Sequence, residues 1–266
     1  MRVRIQAYGP SRSARRLMNG LNDLGTLGNV RRLARAERSA FVARPEDIIV
    51  NWGSATSRFN EDQYLNKPSK IMNASNKLKS FQLMTGHANV PDWTTSKQDA
   101  LSWLEQGKVV YARTSVSGHS GSGIVIMRGV DELVDAPLYT KKVNADDEYR
   151  IHVCKVADGD YIVFDQQQKK RRSRDDGEVA SLEIRNHSNG WIFARHNLCV
   201  PERVQVEAIN ALEALGLDFG GVDVAYSRED RQAYVYEVNT ACGIEGSSIG
   251  KYCEMINNMI ERKTNG

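Results

Sequence analysis

The sequence predicts an α+β protein in which a small leading α/β lobe precedes a larger, strand-rich body. Three observations carry this. The start of the chain reads strand, helix, strand; the middle and C-terminal parts carry hairpins with period-2 alternation; and helices with clear caps stand between them.

In order, Val3-Arg4-Ile5-Gln6-Ala7 alternates apolar and polar residues as a strand does, and Gly9-Pro10 ends it. Ser11 or Ser13 can cap a helix running through Leu17 and Leu21 and stopping before Gly25. Ile48-Ile49-Val50 reads as a short buried parallel strand, closed by Asn51-Trp52-Gly53. Ser75 or Asn76 opens a helix through Leu78, Phe81 and Met84 that Gly86 closes. Thr95 with Gln98 is a capping-box pattern for a helix ending at Gly107. Val109–Arg113 and Gly123–Met127 are strands flanking a glycine- and serine-rich loop, and Tyr149–Val153 with Tyr161–Phe164 forms a hairpin around Asp158-Gly159. Pro201 starts a helix with Val204, Ala208, Leu212 and Leu215 on one face, ended by Gly216. A second hairpin follows, then a last helix with Ile249, Cys253, Ile256 and Ile260 on one face.

Composition narrows the function. With 36 basic and 33 acidic residues the formal charge is +3, a mild excess that suits an anionic ligand such as a nucleotide. No apolar run reaches the roughly 18 residues of a membrane span. The four cysteines form no Cys-x-x-Cys pair, which argues for free thiols in a reducing cytoplasm. No histidine spacing suggests a metal site, and no Gly-x-Ser-x-Gly elbow supports serine catalysis.

The sharpest chemical signal is a pair of acidic strands. Gly221-Val222-Asp223-Val224-Ala225 and Ala233-Tyr234-Val235-Tyr236-Glu237-Val238-Asn239 flank the polar turn Arg228-Glu229-Asp230. If Asp223 faces Glu237, alternation brings Asn239 to the same face. Carboxylates about 5 Å apart repel by roughly 3 kcal/mol at an effective dielectric near 20, a cost that a cation removes. Three oxygen donors suit Mg²⁺ or Mn²⁺. Two solvated carboxylates beside a turn are the plainer alternative.

The run "GGVDVAY…YVYEVNTACGIEG" resembles the C-terminal signature of the ATP-grasp superfamily, the fold of glutathione synthetase and of ligases that add glutamate to protein ends. It is similar to the small ATP-grasp proteins of bacteriophage genomes, which usually carry proline where Cys242 stands. The resemblance implies a pre-ATP-grasp lobe over 1–72 and an ATP-grasp domain over 73–266. Within that domain, 73–140 forms the lobe with the glycine-rich loop and 141–266 the lobe with the metal site. It further implies an ATP-dependent carboxylate–amine ligase that works through an acyl phosphate, with Mg²⁺ on Asp223, Glu237 and Asn239.

For the nucleotide, the resemblance points to Lys77 and Arg113 at the phosphates, with arginine standing where most members have lysine. The loop residues Gly118, Ser120, Gly121, Ser122 and Gly123 would close over the triphosphate; the loop lies between strands and so is neither a Walker loop nor a Rossmann fingerprint. Lys141, Lys142 and Val143 correspond to the interlobe hinge that reads adenine. Asp146, Asp147 and Glu148 are candidates for the ribose, with Asp147 preferred. Arg150, on "DEYRIHV", would face the transferring phosphoryl group. Asn186 and one of Lys170 or Arg172 would border the acyl phosphate. Two other readings stay open: a phosphotransferase that stops at the phosphorylated product, and a nucleic-acid-binding protein using Arg12, Arg15, Arg16, Arg31, Arg32, Arg35 and Arg38 together with Lys169 to Arg174.

Overall fold

A computed structural model of the chain describes residues 1–265 except 35–39, 118–122, 158, 172–182, 184 and 186–188. Three sheets organise it. The leading sheet has the order β2-β1-β3-β4 and is parallel throughout, from β1 (Val3–Ala7), β2 (Arg31–Arg32), β3 (Ile48–Trp52) and β4 (Tyr64–Leu65). Helix α1 (Arg12–Leu24) makes the first crossover. Ser11 caps it by accepting from the Ala14 N–H, and Gly25 ends it at φ 72°, a left-handed position that favours glycine. Leu17 and Leu21 on its inner face are fully buried, as their spacing predicts.

A second, antiparallel sheet has the order β5-β8-β6-β7, built from β5 (Trp93–Thr94), β6 (Val110–Arg113), β7 (Ile124–Met127) and β8 (Leu138–Lys141). It packs on α4 (Lys97–Glu105) through Ala100, Leu104, Val110, Ala112, Met127 and Tyr139. The cap of α4 is Ser96, not Thr95: Ser96 Oγ accepts from the Asp99 N–H, and Thr94 holds the Asp99 carboxylate at 2.8 Å. Two short helices precede this sheet. Helix α3 (Lys77–Met84), capped by Asn76, follows expectation, whereas α2 (Pro68–Ser75) was not legible; Pro68 occupies its first turn, a position that needs no N–H.

The largest sheet is antiparallel with the order β11-β10-β9-β12-β13, from β9 (Asp147–Ala157), β10 (Asp160–Arg171), β11 (Trp191–Ala194), β12 (Phe219–Ser227) and β13 (Gln232–Asn239). Both predicted hairpins are present, and β9 and β10 run several residues past their expected ends. One face is apolar. Tyr149, Ile151, Val153, Val222, Val224 and Val235 pack there against Val204, Ala208, Ala211 and Leu212 of α5 (Glu202–Ala214), and each fully buried aliphatic side chain contributes about 1.5–3 kcal/mol.

The last helix, α6 (Ser247–Asn265), does not close the body alone. Tyr252, Cys253, Ile256 and Ile260 share one core with Val3, Ile5, Leu17, Leu21 and Trp52 of the leading lobe. A boundary at residue 72 also falls inside α2, whose Ile71 and Ala74 belong to the core of the large sheet. Among the described residues no helix is long and apolar enough to cross a membrane.

Candidate active site

A cleft of about 1320 Å³ is lined by the two antiparallel sheets and, at its rim, by Tyr8 and Gly53 just past β1 and β3. Its floor is the second face of the large sheet, and strand alternation decides what reaches it. On β9, Tyr149 and Ile151 face the apolar core, so Glu148 and Arg150 face the cleft. On β12, Asp223 faces the cleft between the core residues Val222 and Val224. In the register of β12 and β13, Asp223 pairs with Glu237 and Gly221 with Asn239, so the three expected ligands share this face.

Each carboxylate already has a protein cation. Arg150 donates from Nε and Nη2 to the two Asp223 oxygens at 2.6 and 2.8 Å, and Lys169 Nζ lies 3.6 Å from Asp223. Lys77 Nζ donates to Glu237, and Asn239 Nδ2 donates to Glu237 Oε1 at 3.2 Å. Burial alone would raise the pKa of Asp223, but Arg150 and Lys169 outweigh it and hold the carboxyl at about 2. Burial likewise pushes Glu237 up, and Lys77 brings it below the usual carboxylate range despite the neighbouring Asp223. Both acids are therefore ionised at neutral pH.

The donor chemistry fits a hard divalent cation: two ionised carboxylates and one amide carbonyl on adjacent strand positions. Among the described residues no group of three His, Cys, Asp or Glu side chains gathers, and Asn239 is what completes this set. The cation partners show the same point from the other side, since the fold supplies positive charge wherever these carboxylates stand.

The nucleotide residues fall into place unevenly. Arg113, at the end of β6, lines the cleft; burial lowers its pKa, and its Nε is buried without a partner among the described residues. Such an orphaned donor fits an anion in the cleft. Lys77 heads α3, and its backbone N–H donates to the Val116 carbonyl at 2.7 Å, tying the helix to the glycine-rich loop. Thr114 N–H donates to the Gly123 carbonyl at 2.8 Å and closes the described ends of that loop. Gly118, Ser120, Gly121 and Ser122 lie outside the described residues, as do Arg172 and Asn186. Lys141, Lys142 and Val143 line the cleft wall; Lys141 pairs with Asp92 at 2.9 Å and Lys142 with Glu183 at 3.2 Å.

Two expectations need correction. Asp147 does not line the cleft: alternation turns it away, and it accepts from Arg228 at 2.7 and 2.9 Å. Asp146 and Glu148 do line it, and Glu148 is held by Lys169 at 2.9 Å. Lys170 is exposed and faces away, whereas its neighbour Lys169 points inward, over the ring of Phe193. A bulge between Val163 and Asp165 sets this parity, and nothing in a run of four basic residues announces it. Within the segment 185–191 sequence reasoning singles out Asn186 and not Arg185, which lies 3.5 Å from Glu148 and stacks on Trp191, and it misses Phe193, which lies 4.6 Å beneath the Arg150 guanidinium. Tyr8 and Gly53, at the carboxyl ends of β1 and β3, bring the leading lobe to the cleft rim; a Cβ on Gly53 would lie 2.6 Å from Ala241 Cβ, two residues beyond Asn239.

This architecture recurs among solved structures. The ATP-grasp ligase PsnB complexed with a minimal precursor superposes with TM-score 0.67 at 14% identity, over 98% of both chains. The chain has the ATP-grasp fold. D-alanyl-alanine synthetase A from Vibrio cholerae shares the ATP-grasp arrangement with TM-score 0.67 at 16% identity, over 100% of this chain and 99% of the other. In sequence, the chain is 26% identical over 235 residues to a ribosomal protein bS6–L-glutamate ligase of Escherichia fergusonii, covering 78% of this chain and 70% of the relative. A probable α-L-glutamate ligase of Citrobacter koseri is 27% identical over the same coverage. No protein-family profile matches the chain. In ATP-grasp terms, the cleft lies between the β5–β8 sheet and the large sheet, with the carboxylate pair on its floor.

Proposed function

We propose that the chain is an ATP-dependent carboxylate–amine ligase that activates its acid as an acyl phosphate. The observation that carries this reading is the pairing of Asp223 with Glu237 on the floor of a cation-lined cleft, one register step from Asn239. Asp223, Glu237 and Asn239 would hold Mg²⁺ or Mn²⁺, which neutralises charge on the transferring phosphate when bound.

The chain's own residues do the rest. Lys77, Arg113 and Lys169 supply positive charge for the triphosphate, and Glu148 or Asp146 is the acid for the ribose. The strand exit at Lys141–Val143 is the backbone edge for adenine. A substrate carboxylate oxygen bonds to the γ-phosphorus as the bond to the β,γ-bridging oxygen breaks and ADP leaves. The amine then bonds to the acyl carbon, phosphate departs with the C–O bonding pair, and the amine loses a proton. Arg150 stands beside the reacting oxygens on a rigid strand, its plane fixed by Asp223 and Phe193, and so is preorganised to stabilise developing charge. The two sequence relatives are named as glutamate ligases, which makes L-glutamate and peptide ends the first substrates to try.

The test is ADP formation from ATP and Mg²⁺ across amino-acid and peptide mixtures, with mass spectrometry of the products. A product weighing acid plus amine less water is expected. A phosphorylated product that accumulates and never condenses would make the enzyme a phosphotransferase instead. Turnover that survives Asp223→Asn and Glu237→Gln unchanged would sink the site.

A further inference from the structure

Positive charge in the cleft is unevenly answered. Lys77, Lys141, Lys142, Arg150, Lys169 and Arg185 each lie within ion-pair distance of a carboxylate. Arg113 and Arg195 also line the cleft, and among the described residues neither has such a partner. Each has its Nε buried with no hydrogen-bond acceptor among those residues. Arg113 has a use in the reaction above, at the triphosphate; Arg195 has none. Burying a charge without an answering group is costly, so a guanidinium kept this way in a cleft points to an anion that arrives with a ligand.

Strand register tells where that anion would sit. Phe193 pairs with Lys169 and Ala194 with Gln168, so Arg195, one residue past the end of β11, comes level with Gln167. Gln167 pairs with Arg150, Arg150 with Asp223, and Asp223 with Glu237. These five residues make one row across the whole sheet. With about 4.8 Å between strands, the Arg195 backbone stands about 10 Å from that of Arg150 and about 14 Å from that of Asp223. The triphosphate and its cation belong to the Asp223–Glu237 end of the row. Arg195 holds the other end, and Arg150 lies between.

The floor between the two arginines is neutral. Gln167 is 1% exposed and donates its amide to Ser248 Oγ at 3.0 Å, so it offers Arg195 no charge. Another acid of the cleft, Glu245, accepts from Arg16 at 2.8 Å. A small substrate with its reacting atom beside Arg150 would reach this end of the row with its far end. A guanidinium there suits a carboxylate, which it can hold through two parallel hydrogen bonds.

We propose that Arg195 anchors a substrate carboxylate that takes no part in bond making, on either the acid or the amine. A dicarboxylic acid, or an amino acid reacting through its amine, carries such a group. The proposal deepens the ligase reading and rests on it.

The experiment is calorimetric titration of the full chain, first with a non-hydrolysable ATP analogue and Mg²⁺. L-glutamate, glutarate and a peptide with a free C-terminus follow, each beside its carboxamide counterpart. Wild type should bind at least one carboxylate and prefer it to the carboxamide by about 10–100-fold. Arg195→Ala should lose that preference while binding the nucleotide analogue as wild type does, and Arg195→Lys, which keeps the charge without the fork, should fall between. In turnover the Arg195→Ala defect should lie in one KM: the amine's if an amino acid carries the carboxylate, the acid's if a dicarboxylate does. Full preference retained in Arg195→Ala, or wild-type protein that binds the nucleotide but none of the carboxylates, would overturn the proposal and leave the ligase reading standing. Loss of nucleotide and carboxylate together in both Arg195 variants would make Arg195 a structural residue. Wild-type protein that takes up no nucleotide would end both readings.

Discussion

The two faces of the large sheet are made by alternate residues of the same strands, yet they solve opposite problems. On the α5 face, Ile151, Val222 and Val224 are removed from water and carry no polar group to partner, and the Tyr149 hydroxyl accepts from Gln168 at 3.5 Å. On the cleft face, Glu148, Arg150, Lys169, Asp223 and Glu237 stand shoulder to shoulder, each charge answered by another. Replacing a buried pair of this kind by apolar residues is often neutral or stabilising, so its presence is weak evidence for stability. The apolar face therefore holds the fold, while the charged face is kept for what it binds.

That comparison can be broken or sharpened in several ways. The largest effect is expected at Asp223. Asp223→Asn takes away a proposed cation ligand and strands Arg150 without its charge partner, and activity should fall on the order of 10²–10³-fold or more in a steady-state ADP assay. On the opposite face, Leu212→Ala should cost about 2–5 kcal/mol in denaturant unfolding while nucleotide affinity of the folded fraction stays put. Equal loss of nucleotide affinity would mean that the faces are not separable.

Lys169 and its neighbour give a narrower contrast. Lys169→Met leaves Glu148 with Arg185 alone and should raise KM for ATP about tenfold, whereas Lys170→Met, on the exposed side, should leave turnover near wild type. The reverse pattern would show the opposite parity for β10.

The smallest effect is a matter of pH. Asp223 is depressed from its usual 3.8 to about 2, so the stability it lends is fully present above pH 4 and drains away as the pH falls towards 2. Glu237 is depressed as well and adds in the same direction. Unfolding midpoints followed through pH 5 to 2 should drop for wild type and drop less for Asp223→Asn. A parallel decline in both would assign acid sensitivity to other groups, Asp47 among them, whose carboxyl is held low by Arg2.

By itself the sequence determined the parts that are local. Caps such as Ser11 and Asn76, the left-handed glycines Gly25 and Gly86, and period-2 alternation mark where elements begin, end and face, because each depends on residues a few positions apart. The same locality made the shared face of Asp223, Glu237 and Asn239 legible, since one hairpin carries all three. Tertiary structure alone decided what depends on register between distant strands. The bulge near Phe164 set Lys169 inward and Lys170 outward, and the pairing of β9 with β12 put Arg150 on Asp223. It also decided that α6 would join the leading lobe, because a helix with an apolar stripe states that it must be covered but not by which surface.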